Sequence, residues 1–220
     1  MVDPKSTTPH LEKYYARRAS EYEKVYRKPE RQAELAWLRN RVPELLRGRT
    51  VLEVACGTGY WTQHIAREAR AVYACDINEP VLEIARDKGL PPNTHFFRAD
   101  AVSLDGAPSG CNAAFAGFWW SHVKKAELAK FVANLAAKLE PGSEVVILDN
   151  TFTNWSSTPL SRRDEEGNTY QTRQLDNGQS FEILKNFPTP QELTEAVRPV
   201  AREARLEALQ YYWLLVFRLQ

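Results

Sequence analysis

The residues of this chain best suited to chemistry lie in the run Val51-Leu52-Glu53-Val54-Ala55-Cys56-Gly57-Thr58-Gly59-Tyr60-Trp61-Thr62, where an apolar stretch meets two glycines. Gly57 and Gly59 permit backbone angles and a close ligand approach that a Cβ would block. A helix opening directly after them would offer unpaired N–H groups to a carboxylate or phosphate. Asp76 closes the next apolar run, nineteen residues after Gly57. Taken alone, Asp76 reads equally well as a loop or cap residue. With the glycine loop at this spacing, its carboxylate is placed to accept hydrogen bonds from both hydroxyls of a ribose.

The loop also discriminates between nucleoside cofactors. A dinucleotide site prefers a third glycine, in the order GxGxxG, so that a pyrophosphate can sit on the helix end. Here Thr62 occupies that place, preceded by the bulkier Tyr60 and Trp61. Glu53 lies in the strand beside the loop, where a carboxylate suits an ammonium group and opposes a pyrophosphate. S-adenosylmethionine carries an ammonium, a carboxylate, a ribose and an adenine, and it matches this mixture better than NAD.

The elements that must position the loop are legible around it. Apolar or β-branched runs at 50–54, 71–75, 94–98, 112–118 and 144–148 predict strands, and 59–68, 79–88 and 125–139 predict helices between them. Asn78 caps the second helix in this scheme, and Pro141-Gly142 ends the third. Such alternation implies parallel strands joined by right-handed crossovers, hence a doubly wound α/β sheet. Upstream, Leu11, Tyr15, Tyr22 and Tyr26 share one face of a first helix that Pro29 breaks. Leu35, Leu38, Val42 and Leu45 then mark a second helix, stopped near Gly48. Downstream, 150–168 reads as a polar loop and Asp176-Asn177-Gly178 as the turn of a hairpin. Thr189 caps a helix to about Arg198, and 204–219 reads as one or two closing strands.

Composition narrows the setting. The chain has 220 residues, 43% hydrophobic and 26% charged, which suits one globular domain. No run approaches a membrane span, and the start MVDPKSTTPH lacks the apolar core of a secretory signal. Three cysteines, Cys56, Cys75 and Cys111, are too few for a disulfide framework or metal cluster, so a cytoplasmic protein without metal is expected. The formal net charge of +1 offers no field for nucleic acid. It is unevenly spread, however. Residues 1–50 hold 12 Lys/Arg against 7 Asp/Glu, which suits either a solvated helix face or an anionic substrate.

The stretches VLEVACGTGYWT, CDIN, FRADAVSL and LEPGSEVVILD, in that order over about 50–150, resemble the motifs of class I S-adenosylmethionine-dependent methyltransferases. The resemblance implies a mostly parallel, seven-stranded Rossmann-like sheet whose last strand is antiparallel. It also implies that Glu53, Ala55, Cys56, Gly57 and Gly59 hold the methionine end, Asp76 the ribose and Ile77 the adenine face. Asp100, with Ala101 beside it, would bond the adenine amino group, and Phe118 or Trp119 would lie near the sulfonium. The segment from Tyr14 to Tyr22 resembles the lid helix of small-molecule members, which would bring Tyr14 or Tyr22 to the cofactor. Packing of these tyrosines onto the sheet is the alternative. The chain then divides into a helical lid (1–49), a cofactor-binding core (50–149), a loop and hairpin insertion covering the methyl acceptor (150–187), and a closing helix and strands (188–220).

Methyl transfer is an in-line displacement, so the enzyme mainly aligns the partners and excludes water. A general base is needed only for a protonated nucleophile. His122 is the base candidate and Asp149, catalytic in the sense of positioning an acceptor, stands beside it, each with a structural alternative. Trp119, Trp120 and Asn150 follow the fourth and fifth strands, where open α/β sheets bind ligands. Arg162 and Tyr170 lie in the insertion, the arginine with Arg163 and Arg173 to grip an anion, and the tyrosine with Trp155 and the pair at 119–120 to sandwich an aromatic ring or surround a methylated ammonium. A dimer contact or a simple hairpin edge is the alternative for the insertion. Phe118-Trp119-Trp120-Ser121 replaces the Asn/Asp-Pro-Pro-Tyr/Phe tetrapeptide of amino-methylating DNA and protein enzymes. The expectation is methyl transfer to an oxygen or nitrogen of a small metabolite, without nucleic acid or membrane partners and with homodimerisation left open. Two rivals are an NAD-dependent oxidoreductase and a catalytically inactive, cofactor-binding regulatory subunit.

Overall fold

The computed structural model describes residues 8–220; the first seven, which carry most of the stretch read for a leader, lie outside the described residues. Helix α1 (Thr8–Arg18) continues as a 3₁₀ segment (Ala19–Arg27), and α2 (Gln32–Leu45) follows a further 3₁₀ turn at Pro29–Arg31. Then β1 (Thr50–Val54), α3 (Thr62–Ile65), β2 (Ala71–Asp76), α4 (Glu79–Asp87), β3 (Thr94–Arg98), β4 (Cys111–Gly117), α5 (Leu128–Ala137) and β5 (Leu139–Asn150) alternate. A small antiparallel sheet of β6 (Arg162–Arg163), β7 (Thr169–Gln174) and β8 (Ser180–Leu184) comes next. The chain ends with α6 (Pro190–Val197), β9 (Ala201–Ala208) and β10 (Tyr212–Leu219).

The main sheet has seven strands in the order β3-β2-β1-β4-β5-β10-β9. The first five run parallel, and β10 is antiparallel to both neighbours. Period-two alternation divides its side chains between two cores. Val51 packs with Leu35, Leu38, Val42 and Ile65 on one face, while the adjacent Leu52 packs with Phe131, Leu135, Leu193 and Val197 on the other. Helices thus cover both faces, which is why β4 and β5 read as near-continuous apolar runs.

Several local expectations are changed by long-range packing. The first predicted helix tightens to 3₁₀ after Arg18, where Tyr26 stacks on Tyr60 of the glycine loop with ring centroids 3.6 Å apart. The helix expected over 59–68 shrinks to the four residues of α3, so it has no extended dipole to offer a ligand. Asn78 makes no side-chain cap. Pro141 and Gly142 lie inside the span of β5, where the pairing with β4 shifts register between Cys111 and Ala113. Thr189 does cap α6, in a full capping box with Glu192.

Candidate active site

The strand order reverses between β1 and β4, and the crevice outside their C-terminal ends is where such sheets bind ligands. Ala55 and Phe118, which follow these two strands, both adopt left-handed backbone with φ of 53° and 60°. That conformation costs a non-glycine residue about 1–2 kcal/mol and survives where the surroundings over-determine it. Gly59, at φ 75°, packs so closely that an added Cβ would stand 3.1 Å from the Cβ of Ala85 in α4.

A cavity opens here, lined by Ala55, Gly57, Asp76, Ile77, Asn78, Val81, Asp100, Ala101, Phe118, Trp119 and His122, with Leu11, Tyr15 and Tyr22 of the N-terminal segment over it. Asp76 accepts hydrogen bonds from the backbone N–H of Gly57 (3.0 Å) and Asn78 (2.9 Å), one on each oxygen. Burial raises its pKa, and those N–H groups oppose the rise. Each oxygen keeps a lone pair for a hydroxyl donor. Asp100 accepts from Val102 and Ser103 N–H at 2.9 and 2.8 Å, both on Oδ1, which leaves Oδ2 for a ligand's donor. Two anchored carboxylates beside apolar Ile77, Val81 and Leu11 suit a nucleoside: hydroxyls on Asp76, an amino group on Asp100, and a flat ring between aliphatic walls.

A second cavity adjoins the first and shares Tyr15, Tyr22, Phe118 and His122 with it. Its other walls come from three parts of the chain. The N-terminal segment supplies Arg18, Lys28 and Arg31, the segment after β5 supplies Asn150 and Ser156, and the small sheet and the residues after it supply Gln171, Arg173, Lys185 and Phe187. Among the described residues that line it, five are cations and none is a carboxylate. Arg31 is buried, donating from Nε to Ser156 Oγ (2.9 Å) and from Nη1 to Asn150 Oδ1 (3.2 Å). Arg173 donates from Nη2 to Gln171 Oε1 (2.7 Å), while its Nε is buried without a partner among the described residues. Burial lowers the pKa of Arg173, Lys28 and Lys185 alike.

Beneath this cavity lies a buried polar cluster. Asp149 accepts from Ser121 N–H (2.9 Å), Asn150 N–H (2.7 Å) and Lys185 Nζ (3.1 Å), and Lys185 also donates to Ser121 Oγ (2.6 Å). Burial pushes the Asp149 pKa up, but Lys185, His122 and the two N–H groups together hold it below the ordinary value. Asp149 is therefore the counterion of Lys185 and has no lone pair pointed at a substrate from the lining. His122 Nδ1 is 2.7 Å from the Leu184 carbonyl and Nε2 is 2.8 Å from Tyr15 Oη. Burial, then the charge of Lys185, pushes its pKa down to about 3.

Of the residues expected at the cofactor, Tyr22, Ala55, Gly57, Asp76, Ile77, Asp100, Ala101 and Phe118 line the first cavity, whereas Tyr14, Glu53, Cys56 and Gly59 do not. Tyr14 packs on Phe181 and accepts from Arg18 Nη1 at 2.6 Å. Cys56 and Gly59 are buried in the loop's own packing. Glu53 is buried behind the loop with Oε2 unpartnered among the described residues, and burial pushes its pKa up to about 8. Among the acceptor candidates, Asn150 lines the second cavity and Trp119 the first. Trp120 instead sits in the core against Phe131 and Trp213. Arg162 lies 3.5 Å above the Tyr170 ring and pairs with Glu182, while Tyr170 donates to Asp164 at 2.9 Å, so both are spent on the small sheet itself. Arg18, Lys28, Arg31 and Lys185 were not singled out from the sequence. The available signals were the positive N-terminal fifty residues and the polar pair Lys185-Asn186 inside an apolar run.

A family described as a methyltransferase domain matches residues 51–142. The chain is 32% identical over 133 residues to the dTDP-3-amino-3,4,6-trideoxy-alpha-D-glucopyranose N,N-dimethyltransferase of Streptomyces venezuelae, over 58% of this chain and 54% of that protein. It is 42% identical over 53 residues to the magnesium-protoporphyrin O-methyltransferase of Rhodobacter capsulatus, over 24% of this chain and 23% of that one. The chain thus spans about half or less of the length of these curated relatives. Among solved structures it resembles one described as "DhpI-SAM-HEP complex" with a TM-score of 0.81 and 27% identity, over 99% of this chain and 100% of that one. The "DhpI-SAH complex structure" gives a TM-score of 0.79 at 27% identity over 97% of both chains. Two of these likenesses extend over the whole fold, and the matched domain contains the glycine loop, Asp76 and Asp100. Residues 51–142 are thus matched by a methyltransferase domain, the fold around them is that of chains solved with S-adenosylmethionine and S-adenosylhomocysteine, and S-adenosylmethionine is the cofactor.

Proposed function

We propose that this protein moves the methyl group of S-adenosylmethionine to an oxygen or nitrogen of a small anionic metabolite held in the second cavity. The observation that carries this reading is a cavity whose described lining residues include five cations and no carboxylate, with Arg173 Nε buried and without a partner among the described residues. Crowding and desolvating like charges is unfavourable, and an anion relieves both terms.

Bound cofactor supplies an activated methyl on a sulfonium. Asp76 and Asp100 hold the nucleoside end, while Tyr15 and Tyr22 cover the junction and keep water out. Arg31 and Arg173 orient the methyl acceptor through charge-assisted hydrogen bonds. The surrounding cations favour its deprotonated form, so no general base is required. His122 is a poor base here, since its pKa is pushed down and its Nε2 is occupied by Tyr15.

The test is transfer from methyl-labelled cofactor to a panel of small carboxylates, phosphates and phosphonates, each paired with a neutral amide or ester. Labelled product is expected from acids and not from their neutral partners. Arg173→Gln should raise the KM for the acid about tenfold or more while leaving cofactor Kd unchanged. Transfer confined to neutral or cationic molecules overturns the proposal, as does tight cofactor binding with no transfer to any acid.

A further inference from the structure

The cations around the second cavity are not all held alike. Lys185 has the Asp149 carboxylate at 3.1 Å, so its charge is met inside the protein. Arg18, Lys28, Arg31 and Arg173 form no ion pair among the described residues, and neutral groups hold each of them. Arg18 donates to Tyr14 Oη, Lys28 to the Ser156 carbonyl, Arg31 to Ser156 Oγ and Asn150 Oδ1, and Arg173 to Gln171 Oε1. The exposed Glu30 carboxylate takes the Ser156 hydroxyl hydrogen at 2.7 Å instead of pairing with Lys28 or Arg31.

Gln171 shows what the neutral partner does. Alternation along β7 puts Gln171 and Arg173 on one face, which lines the cavity together with Ile183 of β8. The Gln171 side chain is fully buried and uses both ends: Oε1 accepts from Arg173 Nη2 at 2.7 Å, and Nε2 donates to the Thr158 carbonyl. A guanidinium only donates and a carbonyl only accepts, so the amide has one orientation. It fixes Arg173 without spending its charge. Arg162, on the neighbouring strand β6, is the contrast: its Nε donates to the Glu182 carboxylate at 2.8 Å, and it stands outside the cavity lining.

We infer that Gln171 is a specificity-determining residue, whose neutral amide orients Arg173 and leaves the guanidinium charge for an anionic methyl acceptor. Gln171→Glu keeps the shape of the side chain and adds a buried charge that Arg173 answers internally, which turns the cavity against acids. The inference rests on the anionic acceptor proposed above.

The experiment measures KM for the best acid of the labelled-cofactor panel with wild type, Gln171→Glu and Gln171→Met. Thermal denaturation checks folding, and calorimetry gives the Kd of S-adenosylhomocysteine. Both substitutions remove the bond to the Thr158 carbonyl, and only Gln171→Glu adds a charge. Gln171→Glu should raise KM about tenfold or more over wild type and about fivefold or more over Gln171→Met, the scale of a charge-assisted hydrogen bond, with Kd changed less than about twofold in both. A smaller gap between the variants leaves Gln171 an orienting role alone and overturns the inference, as does a loss of cofactor affinity that follows KM. If either variant does not fold, Asn150→Asp against Asn150→Leu puts the same question to Arg31 under the same criterion. Wild type that methylates acids while the variants miss the criterion leaves the proposed function standing and removes this inference. Wild type that methylates no acid overturns both.

Discussion

Asp76 does two jobs with one side chain. Its oxygens fasten the glycine loop through Gly57 N–H and the start of α4 through Asn78 N–H, and their remaining lone pairs face the first cavity. Asp76→Asn substitutes an amide for one accepting oxygen and removes the charge. Both S-adenosylmethionine and S-adenosylhomocysteine should then bind about tenfold more weakly or worse, since the ribose is common to them. Calorimetry reads this directly, and an unchanged Kd refutes the ribose assignment. The difference in legibility is also physical. Asp76 stands at a fixed spacing from its loop because one crossover unit joins them, whereas Tyr15 and His122 are 107 positions apart and meet only in the folded chain.

At the scale of elements, the second cavity exists because two late decisions of the fold converge. The N-terminal segment lies against the small sheet: Arg17 donates to Gln179 at 2.8 Å, Lys24 pairs with Asp176, and Tyr14 packs on Phe181. Arg17, Lys24, Asp176 and Gln179 are exposed, and such contacts contribute little individually. The packed rings and the cavity's own bonds hold the two together. The hairpin was readable from Asp176-Asn177-Gly178 and α6 from Thr189 because turn and cap chemistry are local. Thr189→Ala removes the side-chain half of the capping box and should cost about 1 kcal/mol. For a chain of this size that is a fall of about 2–4 °C in Tm, with cofactor affinity unaltered. A loss of cofactor binding would instead tie α6 to the site. The switch from α1 to 3₁₀ was not readable, since it answers to the stacking of Tyr26 on Tyr60.

Over the whole molecule, Glu53 sets an electrostatic cost that depends on pH. Its folded pKa of about 8 stands above the ordinary 4.5, chiefly through burial, with the Thr62 hydroxyl and Lys88 opposing. The folded state therefore keeps a proton that the unfolded chain releases. Its contribution to stability is fully present below pH 4.5 and is lost as pH rises through 8. At roughly 1.4 kcal/mol per unit, the loss is bounded at a few kcal/mol. Glu53→Gln removes the titration. In cofactor-free protein its Tm should gain on wild type between pH 5 and pH 8.5, and a gap that narrows with rising pH contradicts the assignment.

The sequence by itself determined the alternating α/β order, the glycine loop with Asp76 and Asp100, the hairpin and the α6 cap. Side-chain period, turn chemistry and crossover length act over a few residues to a few tens of residues. Tertiary structure alone decided that Arg18, Lys28, Arg31, Arg173 and Lys185 share one cavity with no carboxylate among its described lining residues, that Arg162 and Tyr170 spend themselves on the small sheet, and that Tyr15 meets His122. Those outcomes depend on where residues 8–31 and the insertion settle over the end of β5. Burial, which turns a surface charge into a site, has no signature in any single segment.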